Sequence, residues 1–136
     1  MYQNSGTYMK RISRIAYRGE KFTIEWYFDA KDKSHVLDYF LELDEDRQDK
    51  FLYLLKRMGD MGQIKDKTKF RNEEDGIYAF KPKPDRFLCF FVIGRRIILS
   101  NAFEKRQDKL PKSEKEKALK IKEDYQMRVN QEAYYE

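Results

Sequence analysis

The sequence predicts an α+β single domain, with helices packed on a small, mostly antiparallel sheet, in the order strand, helix, helix, three antiparallel strands, helix. Three observations predict it. Residues 22–29 alternate apolar and polar side chains, residues 36–58 carry apolar side chains at helical spacing, and residues 77–102 form short apolar runs interrupted by Pro82, Pro84 and Gly94. A chain of 136 residues is the size of one domain with one core. Charged residues make up 39% of it, yet ten Tyr, ten Phe and one Trp supply apolar area that a disordered chain lacks.

Residues 1–20 lack periodicity and read as a basic, partly ordered N-terminal arm, leaving residues 21–136 as the folded domain. Phe22, Ile24, Trp26 and Phe28 alternate with Thr23, Glu25, Tyr27 and Asp29, the pattern of a half-buried strand. Ser34 suits a helix N-cap, followed by Val36, Leu37, Phe40, Leu41 and Leu43. Asp44, Glu45 and Asp46 suit the positive start of a second helix. Its inner face carries Phe51, Leu52, Leu54, Leu55 and Met58, and it ends near Gly59 or Gly62.

The second half changes period. Ile77–Lys81 reads as a short strand stopped by Pro82 and Pro84. Arg86–Ile93 is apolar on both faces, as in a covered central strand, and Gly94–Arg95 turns it tightly into Ile97–Ala102. After Pro111, Ser113-Glu-Lys-Glu116 has the form of a capping box, and Ala118, Ile121, Tyr125 and Val129 form the apolar stripe of a last helix.

Composition excludes several function classes. The single Cys89 rules out an internal disulfide or a multi-cysteine metal site and reads as a small core hydrophobe. The single His35 removes the two-histidine ribonuclease and any zincin-type motif. The longest apolar run, Phe87 to Ile93, is seven residues, well short of the ~20 that a membrane helix needs. With no apolar leader segment, the expected location is cytoplasmic, with no membrane partner.

Charge is unevenly placed. Residues 21–62 hold seven Lys/Arg against ten acids, whereas residues 81–109 hold eight against three. A segment of that kind attracts polyanions. Lys81 ends a strand whose Tyr78 and Phe80 point into the core, Arg86 opens the next strand, and Lys105 and Arg106 follow the last one. An antiparallel meander gathers these four cations on one surface. Cleavage of an RNA phosphodiester requires such a surface, with a base for the 2′-hydroxyl proton and cations for the pentacoordinate dianion. Clustered positive charge lowers a lysine's pKa, and arginine's fork binds two phosphate oxygens. The plainer alternatives are turn solubility for Lys81 and Lys83, pairing of Arg86 with Asp85 or Glu104, and loop charge at 105–106.

The segments Gly76-Ile-Tyr-Ala-Phe-Lys81, Arg86-Phe-Leu-Cys-Phe-Phe91 and Ile97-Ile-Leu-Ser-Asn-Ala-Phe103-Glu-Lys105-Arg106 resemble the RelE/ParE toxin superfamily, in its phage-derived, HigB-like branch. The tail Lys109-Leu-Pro-Lys-Ser-Glu114, followed by Ala118 and Asp124-Tyr125, extends the resemblance over about residues 21–128. It implies a type II toxin, a ribosome-dependent, metal-independent mRNA endoribonuclease without cofactor, neutralised by a cognate helix-turn-helix antitoxin. By position, Lys81, Arg86, Lys105 and Arg106 match catalytic cations, and Lys67, Lys69, Arg71, Lys83 and Lys109 are candidate RNA contacts. Two lysines of the RelE branch appear here as Ile77 and Ala79, which leaves the general base open among Lys67, Lys69 and Lys83. The C-terminal tyrosine of some members has Tyr125, Tyr134 and Tyr135 as counterparts without a fixed match. The alternative readings are a non-catalytic ParE-like gyrase inhibitor and an RNA-binding accessory protein of phage origin.

Overall fold

The alternation at residues 22–29 becomes a strand with both faces covered. In the computed structural model, which describes residues 14–135, Ile24, Trp26 and Phe28 are buried on one side of that strand and Glu25 and Tyr27 on the other. The elements are β1 (Ile15–Arg18), β2 (Thr23–Trp26), α1 (His35–Leu41), α2 (Glu45–Met61), β3 (Phe70–Asn72), β4 (Tyr78–Phe80), β5 (Asp85–Val92), β6 (Arg96–Glu104) and α3 (Lys112–Asn130). They build one six-stranded sheet in the order β1-β2-β6-β5-β4-β3. The β2–β6 pair is parallel and every other pair antiparallel.

Helices cover both faces. Under α1 and α2 lie Trp26, Phe80, Phe87 and Leu99 of the sheet, met by Phe40 from α1 and by Phe51 and Leu55 from α2, with Phe51 stacked on Phe87 at 3.7 Å between ring centres. Under α3 lie Tyr27, Ile77, Ala79, Leu88, Phe90 and Ile98, with Ala118 and Tyr125 from the helix. The both-face apolar run of β5 is thus the centre of the molecule, and Cys89 is fully buried in it.

Local chemistry sets the ends. Ser34 accepts from the Leu37 N–H at 3.2 Å and Asp44 from the Arg47 N–H at 2.9 Å, each satisfying an orphan helix donor. Gly62 closes α2 at φ 81, in the left-handed region. The β5–β6 turn likewise holds Gly94 at φ 88 and Arg95 at φ 56.

The expected pattern needs four corrections. Residues 15–18, inside the segment read as an arm, form the edge strand β1; residues 1–13 of that arm lie outside the described residues. Strand β3 was not expected, because its three residues offer one apolar side chain, Phe70, which packs on Tyr78 and Phe80. Leu52 and Leu41 are exposed rather than inward, since α1 and α2 each present only one face to the sheet. The capping box at Ser113 does not form: α3 starts at Lys112 behind Pro111, without a side-chain cap.

Candidate functional site

Strand alternation brings part of the basic segment together. Tyr78 and Phe80 point toward α1 and α2, so Ile77 and Ala79 lie on the α3 face, and Lys81 continues that face past the end of β4. Arg86 lies on the same face of β5 as Leu88 and Phe90. On β6 an irregularity intervenes. Leu88 pairs with Asn101 and Cys89 with Leu99, which makes Ser100 an extra residue. The bulge inverts alternation, so Phe103, opposite Arg86, faces the α3 side and Ala102 the other. Lys105 follows on the side of Phe103.

The resulting cleft, of about 290 Å³, lies at the N-terminal end of α3. Lys81, Arg86, Lys105, Arg71, Lys109 and Lys115 line it, against the acids Glu73 and Asp108, with Ala79 and Phe103 among its walls. Asn101 at the bulge donates to the Glu114 carbonyl at 3.1 Å and to its carboxylate at 3.0 Å, which ties the first turn of α3 to the sheet beside the cleft. The positive end of the helix dipole adds to the field there.

Each cation has a distinct environment. The Arg86 guanidinium is buried, with NH1 donating to the Asp85 carbonyl at 3.2 Å. Burial holds its pKa below the ordinary value, opposed by Glu73, Asp108 and Asp85. Lys81 Nζ donates to the Lys67 carbonyl at 3.2 Å. Burial, then the neighbouring Arg86 and Arg71, push its pKa down. Lys105 pairs with Asp108 at 3.1 Å and Lys115 with Asp75 at 2.7 Å. Lys105 in turn holds the Asp108 carboxyl below its usual range. A buried arginine beside a lysine of lowered pKa can bind a phosphate and accept a proton.

The other sequence candidates are dispersed. Arg106 is exposed and lines not the cleft but an adjoining hollow, with Tyr39, Glu104 and Glu114, that meets the cleft at Phe103, Gln107 and Pro111. Lys69 and Lys83 line a groove beside α2, and Lys67 touches the cleft only through its carbonyl, which accepts the hydrogen bond from Lys81 Nζ. Tyr125, Tyr134 and Tyr135 lie outside the cleft. The Tyr125 and Tyr135 hydroxyls are 2.5 Å apart, Tyr135 donates to buried Glu25 at 2.9 Å, and Tyr134 accepts from the Phe28 N–H at 3.0 Å. These rings, with the Arg14 guanidinium 4.8 Å from the centre of Tyr134, fasten the chain end to β2. Burial pushes the Tyr134 hydroxyl up to about 12. His35 is exposed at the start of α1. Sequence reasoning missed Lys115, Glu73 and Asp108; Lys115 follows Pro111 at the start of a helix whose N-terminus faces the basic strands, a signal that was available.

Among the described residues, no group of three or more His, Cys, Asp or Glu side chains could hold a metal ion, and no helix is long and apolar enough to cross a membrane.

A single α+β domain with this strand order matches a RelE-like arrangement in outline. The chain belongs to the family of phage-derived Gp49-like proteins (DUF891), which it matches over residues 38–123. That span runs from α1 into α3 and contains every cation of the cleft. No curated protein matches the chain.

Proposed function

We propose that the protein is the toxin of a toxin–antitoxin pair and cleaves mRNA on the ribosome without a metal ion. The observation that carries this reading is the convergence of Lys81, Arg86 and Lys105 in one cleft, with Arg86 buried at its wall. The family's association with RelE-like toxins supports it.

In this reading Lys81 takes the proton of a 2′-hydroxyl. The freed oxygen attacks the adjacent phosphorus, the bond to the 5′-oxygen breaks, and that oxygen leaves with a proton from a cleft cation or water. Arg86 and Lys105 neutralise the dianionic transition state, where their contribution is greatest. Burial and the neighbouring Arg86 and Arg71 lower the Lys81 pKa, the direction that a lysine base requires. Ile77 and Ala79 stand where the RelE branch has lysines and are buried under α3; Lys81, one alternation further, lies beyond the cover of the helix. A neighbouring antitoxin neutralises the toxin by binding it.

The test is single-turnover cleavage of mRNA on programmed ribosomes, with ribosome binding assayed in parallel. Arg86→Ala is expected to slow cleavage by about a hundredfold or more, with a much smaller loss of binding. An unchanged rate overturns the role of Arg86. Wild-type protein that binds but never cleaves, or that blocks DNA replication while translation continues, overturns the nuclease reading in favour of a binding toxin.

A further inference from the structure

We infer that the groove along the outer side of α2 is a second anchor for the substrate strand, holding single-stranded RNA next to the segment bound in the cleft. This inference rests on the RNA-cleaving reading above. The groove measures about 990 Å³ and runs between α2 and the loops at 63–69 and 82–83. Tyr53 and Met61 stand on its α2 side, 59% and 65% exposed, so an aromatic ring and a thioether are open to a ligand in the groove. Arg57 approaches the Tyr53 ring at 5.9 Å and donates to its hydroxyl at 3.3 Å, so the aromatic ring and a cation are presented together. That combination stacks a base and neutralises its phosphate.

Charge and continuity favour RNA over a protein partner. The groove carries Lys50, Arg57, Lys65, Lys69 and Lys83 against Asp46, Asp49 and Asp66. Asp46 pairs with Lys50 at 3.5 Å, and Asp66, which accepts from the N–H and hydroxyl of Thr68, keeps its charge near Lys69, so five cations meet three acids and the groove is net positive. The excess cations Lys69 and Lys83 lie against Lys81 of the cleft. The Lys81 N–H donates to the Lys69 carbonyl at 2.8 Å, and the Lys83 N–H to the Lys81 carbonyl at 3.1 Å. The turn at 81–84 therefore carries a cleft cation on one side and groove cations on the other. A strand whose scissile phosphate lies at Arg86 and Lys81 passes over that turn onto Lys83 and Lys69, and its bases meet Tyr53 and Ile64. An apolar helix of a protein partner would account for Met61 and Ile64 but not for the cationic link to the cleft.

The test uses labelled, uncleavable 2′-O-methyl oligouridines of about four and about twelve nucleotides, with affinity read by fluorescence anisotropy at several salt concentrations. Wild-type protein is expected to bind the longer oligonucleotide more tightly and with a steeper salt dependence. Tyr53→Ala, and separately Lys69→Glu with Lys83→Glu, are expected to weaken the longer one about tenfold and the shorter one less than about twofold. All three side chains are exposed, and circular dichroism checks that each variant folds. Equal affinity of wild type for both lengths, or variants that hold the longer one like wild type, would overturn the inference. If such variants instead lose binding to a co-purified protein partner, the groove belongs to that partner. Failure of the cleft reading shows separately, as absence of ribosomal cleavage by wild-type protein.

Discussion

Arg47 on α2 grips Asp85, the fully buried first residue of β5, through two nitrogens: Nε to Oδ2 at 2.9 Å and NH2 to Oδ1 at 2.5 Å. Tyr39 on α1 adds its hydroxyl to Oδ1 at 2.5 Å. Burial and this donation push the Tyr39 hydroxyl above its ordinary range. Two helices are thereby fixed to the strand residue that immediately precedes Arg86. Asp85→Ala strands Arg47 and Tyr39 without their acceptor. Its urea midpoint is expected to fall well below that of Lys31→Ala, an exposed-charge control. Matching midpoints would mean that the pair does not stabilise the fold.

Arg86 and Arg106 differ in burial, and cleavage is expected to separate them. Arg86→Lys removes the bidentate fork in the cleft and slows single-turnover cleavage severely, whereas Arg106→Ala stays within about threefold of wild type. A hundredfold loss at Arg106 would move the reacting phosphate to the hollow near Tyr39.

The α1–α2 side of the core depends on Phe51, fully buried and in ring contact with Trp26, Phe40, Phe80 and Phe87. Phe51→Ala is expected to lose about 3–5 kcal/mol in equilibrium denaturation, the range for a large aromatic deleted from a packed core. A loss below about 1 kcal/mol would show that the site refills.

Gly19 and Gly59 let β1 approach α2 closely, and the Lys21 and Phe22 N–H groups donate to the Gly59 carbonyl at 2.7 and 3.0 Å. A Cβ on Gly19 would meet the Gly59 backbone carbon at 2.3 Å, whereas one on Gly59 would meet the Tyr17 ring at 2.6 Å. Backbone cannot yield and a ring can turn. Gly19→Ala should therefore lower the thermal midpoint more than Gly59→Ala, and β1 amides should lose hydrogen-exchange protection. The reverse ranking would place the tight contact at Tyr17.

Acid should weaken the same contact. The Tyr17 hydroxyl donates to Asp60 at 2.8 Å, and that bond, with Lys56, holds the Asp60 carboxyl below its usual range. A carboxyl with depressed folded pKa stabilises above its unfolded value, about 4, and the stabilisation disappears as pH falls through the folded value. Wild type should therefore lose more stability than Asp60→Asn between neutral pH and acid. Parallel pH profiles would remove Asp60 from the acid response.

Period and punctuation made the centre of the fold legible. The both-face apolar run of β5 and the Ser34 cap follow from local chemistry that tertiary packing reinforces, and of the two glycines that offered a helix end, Gly59 and Gly62, the second is the cap. The edges were not legible, because β1 and β3 are short and mostly polar and exist through pairing with distant residues. At the site, Lys81 and Arg86 follow from simple alternation. Which of Lys105 and Arg106 faces the cleft depends on the extra residue at Ser100, and nothing in Leu99-Ser-Asn-Ala102 announces a bulge.

The parallel pairing of Thr23–Trp26 with Arg96–Leu99 has a consequence for biosynthesis. The β1–β2 ribbon finds its sheet neighbour only after β6 has been made, so until then the nascent chain carries it with the β2 edge open. Arg86 likewise gains its neighbour Phe103 only at the end of β6, and α3 follows later still. The cleft is therefore complete only once β6 and α3 have both been made, and truncation before residue 104 should release an aggregation-prone fragment that lacks the cleft.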